Sequence, residues 1–287
     1  MLMRRSMLFI PGNNPAMLQN ADCFESDAVI IDLEDAVHVN EKDNARNLVH
    51  YYLESLTDVP MEIVIRINAP DTPYYEDDLK AVVSDKIDAV MLPKAGPRSC
   101  FLIDQVLTII ENEKKMQKKI GIVPIIETTM GVMQMEEIAK MPRVSGILLG
   151  AEDLSVDMEV ERTKTGTEIW YPRAKLAYTC KAYKIDAIDT PFTDTTDYAG
   201  LKEDALKAKA LGLNAKAAIH PNQIDIINQV FSPSEKQIIW AKRVLKATEE
   251  AQAKNLGVFS LDGKMVDKPI IDRAQKIIKM AQKYHLE

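Results

Sequence analysis

The feature that most constrains this chain is a series of short apolar runs, each followed at once by polar or turn residues. They are "MLFIPG" from Met7, "AVIIDLED" from Ala28, "EIVIRIN" from Glu62, "AVMLPK" from Ala89, "GIVPIIET" from Gly121, "GILLGAED" from Gly146, "AIDTPF" from Ala187 and "AKAAIHP" from Ala215. Most are near-continuous rather than alternating, which is the pattern of strands buried on both faces of a parallel sheet. Stretches with helical spacing lie between them. Asn40 is expected to cap one, with Asp43 in its first turn where a carboxylate suits the helix dipole. A second, from Ser99, is apolar at Leu102, Val106, Ile109 and Ile110. A third, from Tyr198, is expected to end at Gly212 as its C-cap. Strand and helix alternate eight times, which fits a (β/α)8 TIM barrel over residues 1–230. The alternative is an open doubly wound sheet, but no Gly-rich phosphate loop follows the first run.

Residues 231–287 read differently. Ser232-Pro233-Ser234-Glu235 has the form of a capping box with proline at the first helical position, and its helix is expected to run to about Leu256. Asp262-Gly263 marks the turn of a short hairpin or loop, and a last helix is expected from Pro269. This appendix is surplus to a closed barrel. It is expected to be a C-terminal helical arm that contacts a neighbouring subunit.

Composition narrows the function classes. With 46% hydrophobic and 28% charged residues, the 287-residue chain has ordinary globular content. A formal net charge of −7 argues against a nucleic-acid-binding surface over the whole protein. Cys23, Cys100 and Cys180 share no short spacing, so they are expected to be free thiols in a reducing compartment. Met7 to Ile10 is too short for a signal-peptide core, and no run approaches the roughly 20 residues of a membrane span. A cytoplasmic protein without membrane association is the expectation.

In a barrel the residues just past the strand ends converge on one face, where active sites sit. Those positions are Pro11 and Gly12, Glu34 and Asp35, Arg66 and Asn68, Lys94, Glu127, Glu152 and Asp153, Asp189 and His220. Carboxylates converging in one concavity repel unless a cation or a shared proton lies between them. Glu127 and Asp153 end consecutive strands, and Mg²⁺ suits two carboxylates plus water and substrate oxygens. Glu34 and Asp35 are placed to bind the metal's waters, and Glu152 to point elsewhere in a structural role. Arg66 is either a bidentate clamp on a substrate carboxylate or a structural ion pair to Glu34 or Asp35. Lys94 is open to three roles: a Schiff-base lysine, an anion contact or a solvated strand end. His220 reads as a turn residue rather than a base.

The segments "RSMLFIPGN", "DLEDAV", "RIN", "LPK", "IIETTMGV", "LGAEDL", "IHPNQI" and "DGKMVDKP" resemble, in order, the citrate lyase β-subunit family within the Mg²⁺-dependent acyl-CoA lyase and aldolase barrels. The resemblance runs from Arg5 to about Arg273, and "ERTKTGTE" (Glu161 to Glu168) is similar to the citrate lyase β chains in particular. Ala217 and Ala218 depart from the family's usual Gly-Lys-Ser-like pattern, so no substrate role is carried onto Lys216. The resemblance implies cleavage of a citryl thioester, held on acyl-carrier protein or CoA, to oxaloacetate and an acetyl thioester. It implies Glu127 and Asp153 as ligands of Mg²⁺, with Mn²⁺ able to substitute, and Arg66 at a substrate carboxylate. It implies Asp267 as an acid contributed by a neighbouring subunit's arm. Pro11, Gly12, Asn68 and Lys94 are the further substrate-contact candidates, and Glu34 or Asp35, through a water, is a candidate base.

The partners implied are an acyltransferase α subunit, an acyl-carrier γ subunit and further copies of this chain as a trimer or hexamer. Arg4, Arg5, Arg162 and Lys164 are the cations available for an acidic carrier, or else solvated surface. Two other functions stay open: a stand-alone lyase acting on malyl-, citramalyl- or citryl-CoA, and a noncatalytic scaffold that docks a carrier protein.

Overall fold

The computed structural model describes residues 4–57, 59–252 and 259–286. The chain divides into two compact units, Met1–Asn228 and Gln229–Glu287.

In the first unit all eight apolar runs are strands: β1 Ser6–Pro11, β2 Ala28–Asp32, β3 Glu62–Arg66, β4 Ala89–Leu92, β5 Gly121–Ile126, β6 Gly146–Leu149, β7 Asp186–Asp189 and β8 Ala215–Ala218. They close in sequence order into a parallel barrel, with β8 paired back onto β1. Its interior is filled by Met7, Ala28, Ile30, Val64, Ala89, Met91, Val123, Ile125, Leu148, Ile188, Ala215 and Ala217. Within a strand these residues are two apart, because successive side chains face opposite sides of the sheet. The intervening residues, such as Val29, Ile31, Ile63 and Ile65, are equally buried and point outward to the helical layer. Burial on both faces is why the runs carry so few polar interruptions.

The helices are α1 Pro15–Gln19, α2 Lys42–Ser55, α3 Tyr75–Val82, α4 Pro97–Glu113, α5 Thr129–Met133, α6 Met135–Ala139, α7 Ala151–Asp157, α8 Trp170–Tyr183, α9 Tyr198–Leu211 and, at the unit boundary, α10 Ile224–Phe231. Gly212 does end α9, at φ +105° in the left-handed region. Two local expectations are corrected. Asn40 does not cap α2: its amide donates to the His38 ring, which caps a 3-10 turn over Val39–Glu41, and α2 starts after that turn. On α4 the buried stripe is Cys100, Ile103, Leu107 and Ile110, while Leu102 and Ile109 are exposed. Both stripes have helical spacing, so the period identified the helix without choosing its inner face.

The second unit contains α11 Glu235–Gln252, a hairpin of β9 Phe259–Leu261 and β10 Lys264–Val266 turning at Asp262-Gly263, and α12 Lys268–Lys283. Ile238, Ala241, Val244, Val266, Ala274, Ile277 and Ala281 form its core. The capping box of α11 is shifted from its expected place. The Ser234 hydroxyl accepts the Gln237 amide, and the Gln237 side chain accepts the Ser234 amide. The expected helix end near Leu256 lies outside the described residues. Cys23, Cys100 and Cys180 are free thiols, and burial pushes the latter two up to about 12. Among the described residues no helix is long and apolar enough to cross a membrane.

Candidate active site

Parallel register brings the strand ends level. Asp32 at the end of β2 lies opposite Pro11 on β1 and Arg66 on β3. The Arg66 guanidinium donates from Nε to Asp32 Oδ1 at 2.7 Å and from Nη2 to Oδ2 at 2.5 Å, a bidentate charge-assisted pair. Asp32 is buried, and its two oxygens also accept the amides of Glu34 and Ala36. Lys42 closes the same loop by donating to the carbonyls of Leu33 and Glu34. The remaining Arg66 nitrogen, Nη1, lies 3.1 Å from Glu34 and 3.3 Å from Asp35. The guanidinium stands 5.1 Å from the centre of the Phe9 ring. Burial works against the charge on Arg66, but the bonds to Asp32 outweigh it and raise its pKa.

Arg66 is thus an ion-pair residue on its inner edge and a cavity residue on its outer one. The partner is chiefly Asp32, which was not among the expected site residues. Its signal was present: an acid closing a buried apolar strand must have a counter-charge or donors.

The cavity beside Arg66 has a volume of about 160 Å³ and is lined by Phe9, Asp35, Arg66, Ile125, Glu127, Leu148, Gly150, Ala151, Glu152, Asp153 and Thr190. Four acids therefore face one arginine. Glu127 is held by Lys94, whose backbone lies at φ +47° and aims its amide at Glu127 Oε1. The other side of Glu127 packs on Gly150. A Cβ there would stand 2.7 Å from Glu127 Cβ and 2.8 Å from its Oε2, so only glycine lets β6 end this close to the carboxylate. Asp153 projects from the first turn of α7.

Burial pushes Glu127 up to about 7. The Lys94 amide opposes the shift and the nearby Asp153 charge adds to it. Burial pushes Glu34 further, to about 8, against Arg66 and with help from Asp35, Glu127 and Asp32. Both shifts are set first by burial, and the neighbouring carboxylates add to it.

The donor set suits a hard divalent cation. Among the described residues no three His, Cys, Asp or Glu side chains are clustered as a metal cage. Mg²⁺ does not need one, since it keeps several waters and takes one or two carboxylates. Glu127 and Asp153 line one cavity and could supply such a pair, and the absence of a side chain at Gly150 leaves room for Glu127 Oε2.

Other expected site residues are placed elsewhere. Asn68 is buried, and its side-chain nitrogen is committed to the Leu33 carbonyl and Asp78. The substrate contact expected of that amide is therefore corrected to a loop brace. The Gly12 amide is committed to the Asp32 carbonyl, and a Cβ there would meet that oxygen at 2.7 Å. Gly12 is thus a packing position, with Pro11 beside it at the end of β1. Lys94 is exposed and lines a neighbouring cavity with Ala69, Pro70, Asp71, Arg98, Ser99 and Leu102. Glu34 lies behind Arg66, whereas Asp35 lines the acidic cavity itself. Glu152 lines the cavity too, rather than pointing away, and pairs with Arg162 at 3.1 Å. His220 is a turn residue whose ring accepts the Asn222 amide. Asp267 caps α12 in the second unit through the Ile270 amide.

Asp189, expected at the mouth, is fully buried instead. Arg173 from α8 grips it at 2.8 and 2.9 Å, and Lys216 from β8 reaches it at 2.6 Å. Asp204 from α9 joins both cations. The four cations expected to face a carrier protein are also paired. Arg4 is buried against Glu62 and Asp186, and Arg5 pairs with Asp27. In "ERTKTGTE", Glu168 gathers Arg162 Nη1, the Thr163 amide and the Thr163 hydroxyl. Burial would raise Glu168, but these donors hold it at about 2. Lys164 reaches across to Asp197 at 3.1 Å.

A family model described as HpcH/HpaI aldolase/citrate lyase matches residues 5–221. The citrate lyase subunit beta of Leuconostoc mesenteroides subsp. cremoris is 40% identical, covering 99% of this chain and 95% of that protein. Human mitochondrial citramalyl-CoA lyase is 30% identical over 97% of this chain and 85% of its own. The solved structure of a citrate lyase beta subunit from Mycobacterium tuberculosis, complexed with oxaloacetate and magnesium, is 28% identical with a TM-score of 0.68. That alignment covers 80% of this chain and 98% of the other.

Proposed function

The chain belongs to the HpcH/HpaI aldolase/citrate lyase family, and from that premise we propose that it is a citryl-[acyl-carrier-protein] lyase. It cleaves a citryl thioester into oxaloacetate and an acetyl thioester. The observation that carries the proposal is the acidic cavity: Glu127 just past β5 and Asp153 on the first turn of α7, which follows β6, with Arg66 lining the same cavity. A magnesium-bound relative crystallised with oxaloacetate supports the same reading.

Cleavage removes the citryl hydroxyl proton, breaks the adjacent carbon–carbon bond and leaves electrons on the acetyl thioester carbon, which then takes a proton. Glu127 and Asp153 would hold Mg²⁺, which when bound would supply Lewis-acid chemistry to the substrate oxygens. The outer edge of Arg66, where Nη1 pairs with Glu34 and Asp35, binds a carboxylate of the oxaloacetate half, and the bidentate bond to Asp32 holds the guanidinium plane in place. Asp35 on the cavity wall, or Glu34 behind it, takes the hydroxyl proton through a water. The Asp267 carboxyl, brought by the C-terminal arm of a neighbouring copy, delivers the proton to the acetyl carbon. The working assembly contains an acyltransferase subunit and an acyl-carrier subunit, as the designation "subunit beta" of its relatives suggests. Lys94 plays no Schiff-base part, since its side chain is exposed and lines a different cavity.

Likeness to citramalyl-CoA lyase favours one second reading, a stand-alone lyase acting on free acyl-CoA. One assay separates them: oxaloacetate release from citryl-CoA and from citryl carrier protein, with and without EDTA. The proposal expects faster release from the carrier protein and loss of release on chelation. Borohydride trapping of a lysine adduct with activity intact in EDTA would overturn it.

A further inference from the structure

The helix that carries Asp153 lacks a cap of its own. The N-cap position of α7 is Gly150, which has no side chain to accept the helix's first free amides. The missing acceptor comes from another strand: Thr190, just past β7, takes the Ala151 amide on its hydroxyl oxygen at 3.2 Å. Thr190 is buried and lies on the cavity wall with Ala151, Glu152 and Asp153. The Gly150 amide ties the end of β6 to Ile126, whereas the Thr190 bond ties the helix itself.

Thr190 is in turn held from behind. Its carbonyl accepts from Lys216 Nζ at 2.7 Å, and the same ammonium donates to Asp189 and Asp204 at 2.6 Å each. Those three bonds use all three ammonium protons, in a side chain with no solvent exposure. Arg173 fixes both aspartates from the other side. The residue preceding Thr190 is therefore clamped by two cations, and Thr190 has no slack to follow α7 if the helix shifts.

We propose that Thr190 is a positioning residue for the metal-binding carboxylates: it sets the first turn of α7, and hence Asp153, against Glu127. The inference rests on the proposal that Glu127 and Asp153 bind Mg²⁺, and it adds a residue that acts on the metal site through the first turn of α7. Residues that orient metal ligands typically change affinity by about 10–100-fold when altered. A cap with only a structural role would lower stability and leave ion affinity alone.

The test uses the full-length chain and measures Mn²⁺ binding by electron paramagnetic resonance and Mg²⁺ binding by calorimetry. Thr190→Val keeps the shape and removes the acceptor, while Thr190→Ser keeps the acceptor. Thr190→Val is expected to weaken both ions about tenfold, with Thr190→Ser restoring wild-type affinity. Thr190→Ala provides the same comparison should the valine variant fold poorly. Wild-type affinity in a folded valine or alanine variant, whatever its melting temperature, would overturn the positioning role and leave the metal proposal standing. A wild-type chain that takes up neither ion would overturn both.

Discussion

Two of the buried charge clusters of this barrel differ in how their charge is balanced. Behind β7 and β8, Arg173 and Lys216 meet Asp189 and Asp204, two cations for two anions, with every pair at 2.6–2.8 Å. At the mouth, Asp35, Glu127, Glu152 and Asp153 line a cavity with Arg66; Arg162 pairs with Glu152, and Arg66 already spends its inner edge on Asp32. A balanced buried cluster completes itself and locks a backbone. An unbalanced one is complete only with something from outside, here a cation. The difference separates a structural use of buried charge from a binding use, although the residue types are the same.

The largest effect that could break this comparison is expected at Glu127. Glu127→Gln removes the charge of one of the two carboxylates proposed to bind the metal while keeping the side chain's size and its bond to the Lys94 amide. Lyase turnover is expected to fall by about 10³-fold or more, since a Lewis acid contributes several kcal/mol to such a step. Thermal stability without metal should hold or rise, because the change relieves like-charge repulsion. Calorimetry with Mg²⁺ alongside the turnover assay checks both. A variant that lost stability and kept metal binding would place Glu127 with the structural charges.

Lys216→Met asks the converse question of the balanced cluster. It leaves Arg173 with two aspartates, and removing one partner of a buried charge set costs about 3–5 kcal/mol. Urea unfolding should show that loss, and Lys216→Met combined with Asp204→Asn should recover part of it by restoring the balance. A loss below about 1 kcal/mol in the single variant would mean that Lys216 is not held as the geometry describes.

How far the sequence could be read follows the same division. All eight strands were legible because a strand buried on both faces is largely apolar, and a few continuous residues suffice to show it. Glu127 and Asp153 were legible because they follow such runs at once. Asp32 and Lys216 were not, although each carries a local sign: an ionisable residue among buried apolar ones, with small neighbours such as Ala215 and Ala217 giving Lys216 room. What the local pattern lacks is the partner. Arg173 lies 43 positions before Lys216 in an ordinary-looking helix, and only barrel closure brings them together. The inner face of α4 and the start of α11 were misread for a smaller reason, since two apolar stripes and two serines each fitted the local rule equally well.

The smallest effect, and the sharpest contrast between the two regions, is expected in how stability depends on pH. Glu34 and Glu127 titrate near 8 and 7 in the folded chain against an ordinary glutamate value of 4.5. Across that interval the native state holds protons that the unfolded state has released, so stability falls as pH rises from about 5 to 8. The balanced cluster behaves oppositely. Burial works against the Asp204 charge, but Lys216 and Arg173 hold its pKa below the usual aspartate range. Its contribution is therefore lost only in acid and is flat over the same interval. The metal-free protein should therefore melt at a lower temperature at about pH 8 than at about pH 5. Saturating Mg²⁺ should remove the part of the slope that Glu127 contributes, because the ion would take the place of the proton there and its stabilising effect grows with pH. Glu34→Gln should flatten the upper part of the metal-free slope without touching the acid limb. Differential scanning calorimetry across pH with and without Mg²⁺ reads all three outcomes. A metal-free melting temperature that rises over this interval would show that the excess charge at the mouth is not carried by these two glutamates.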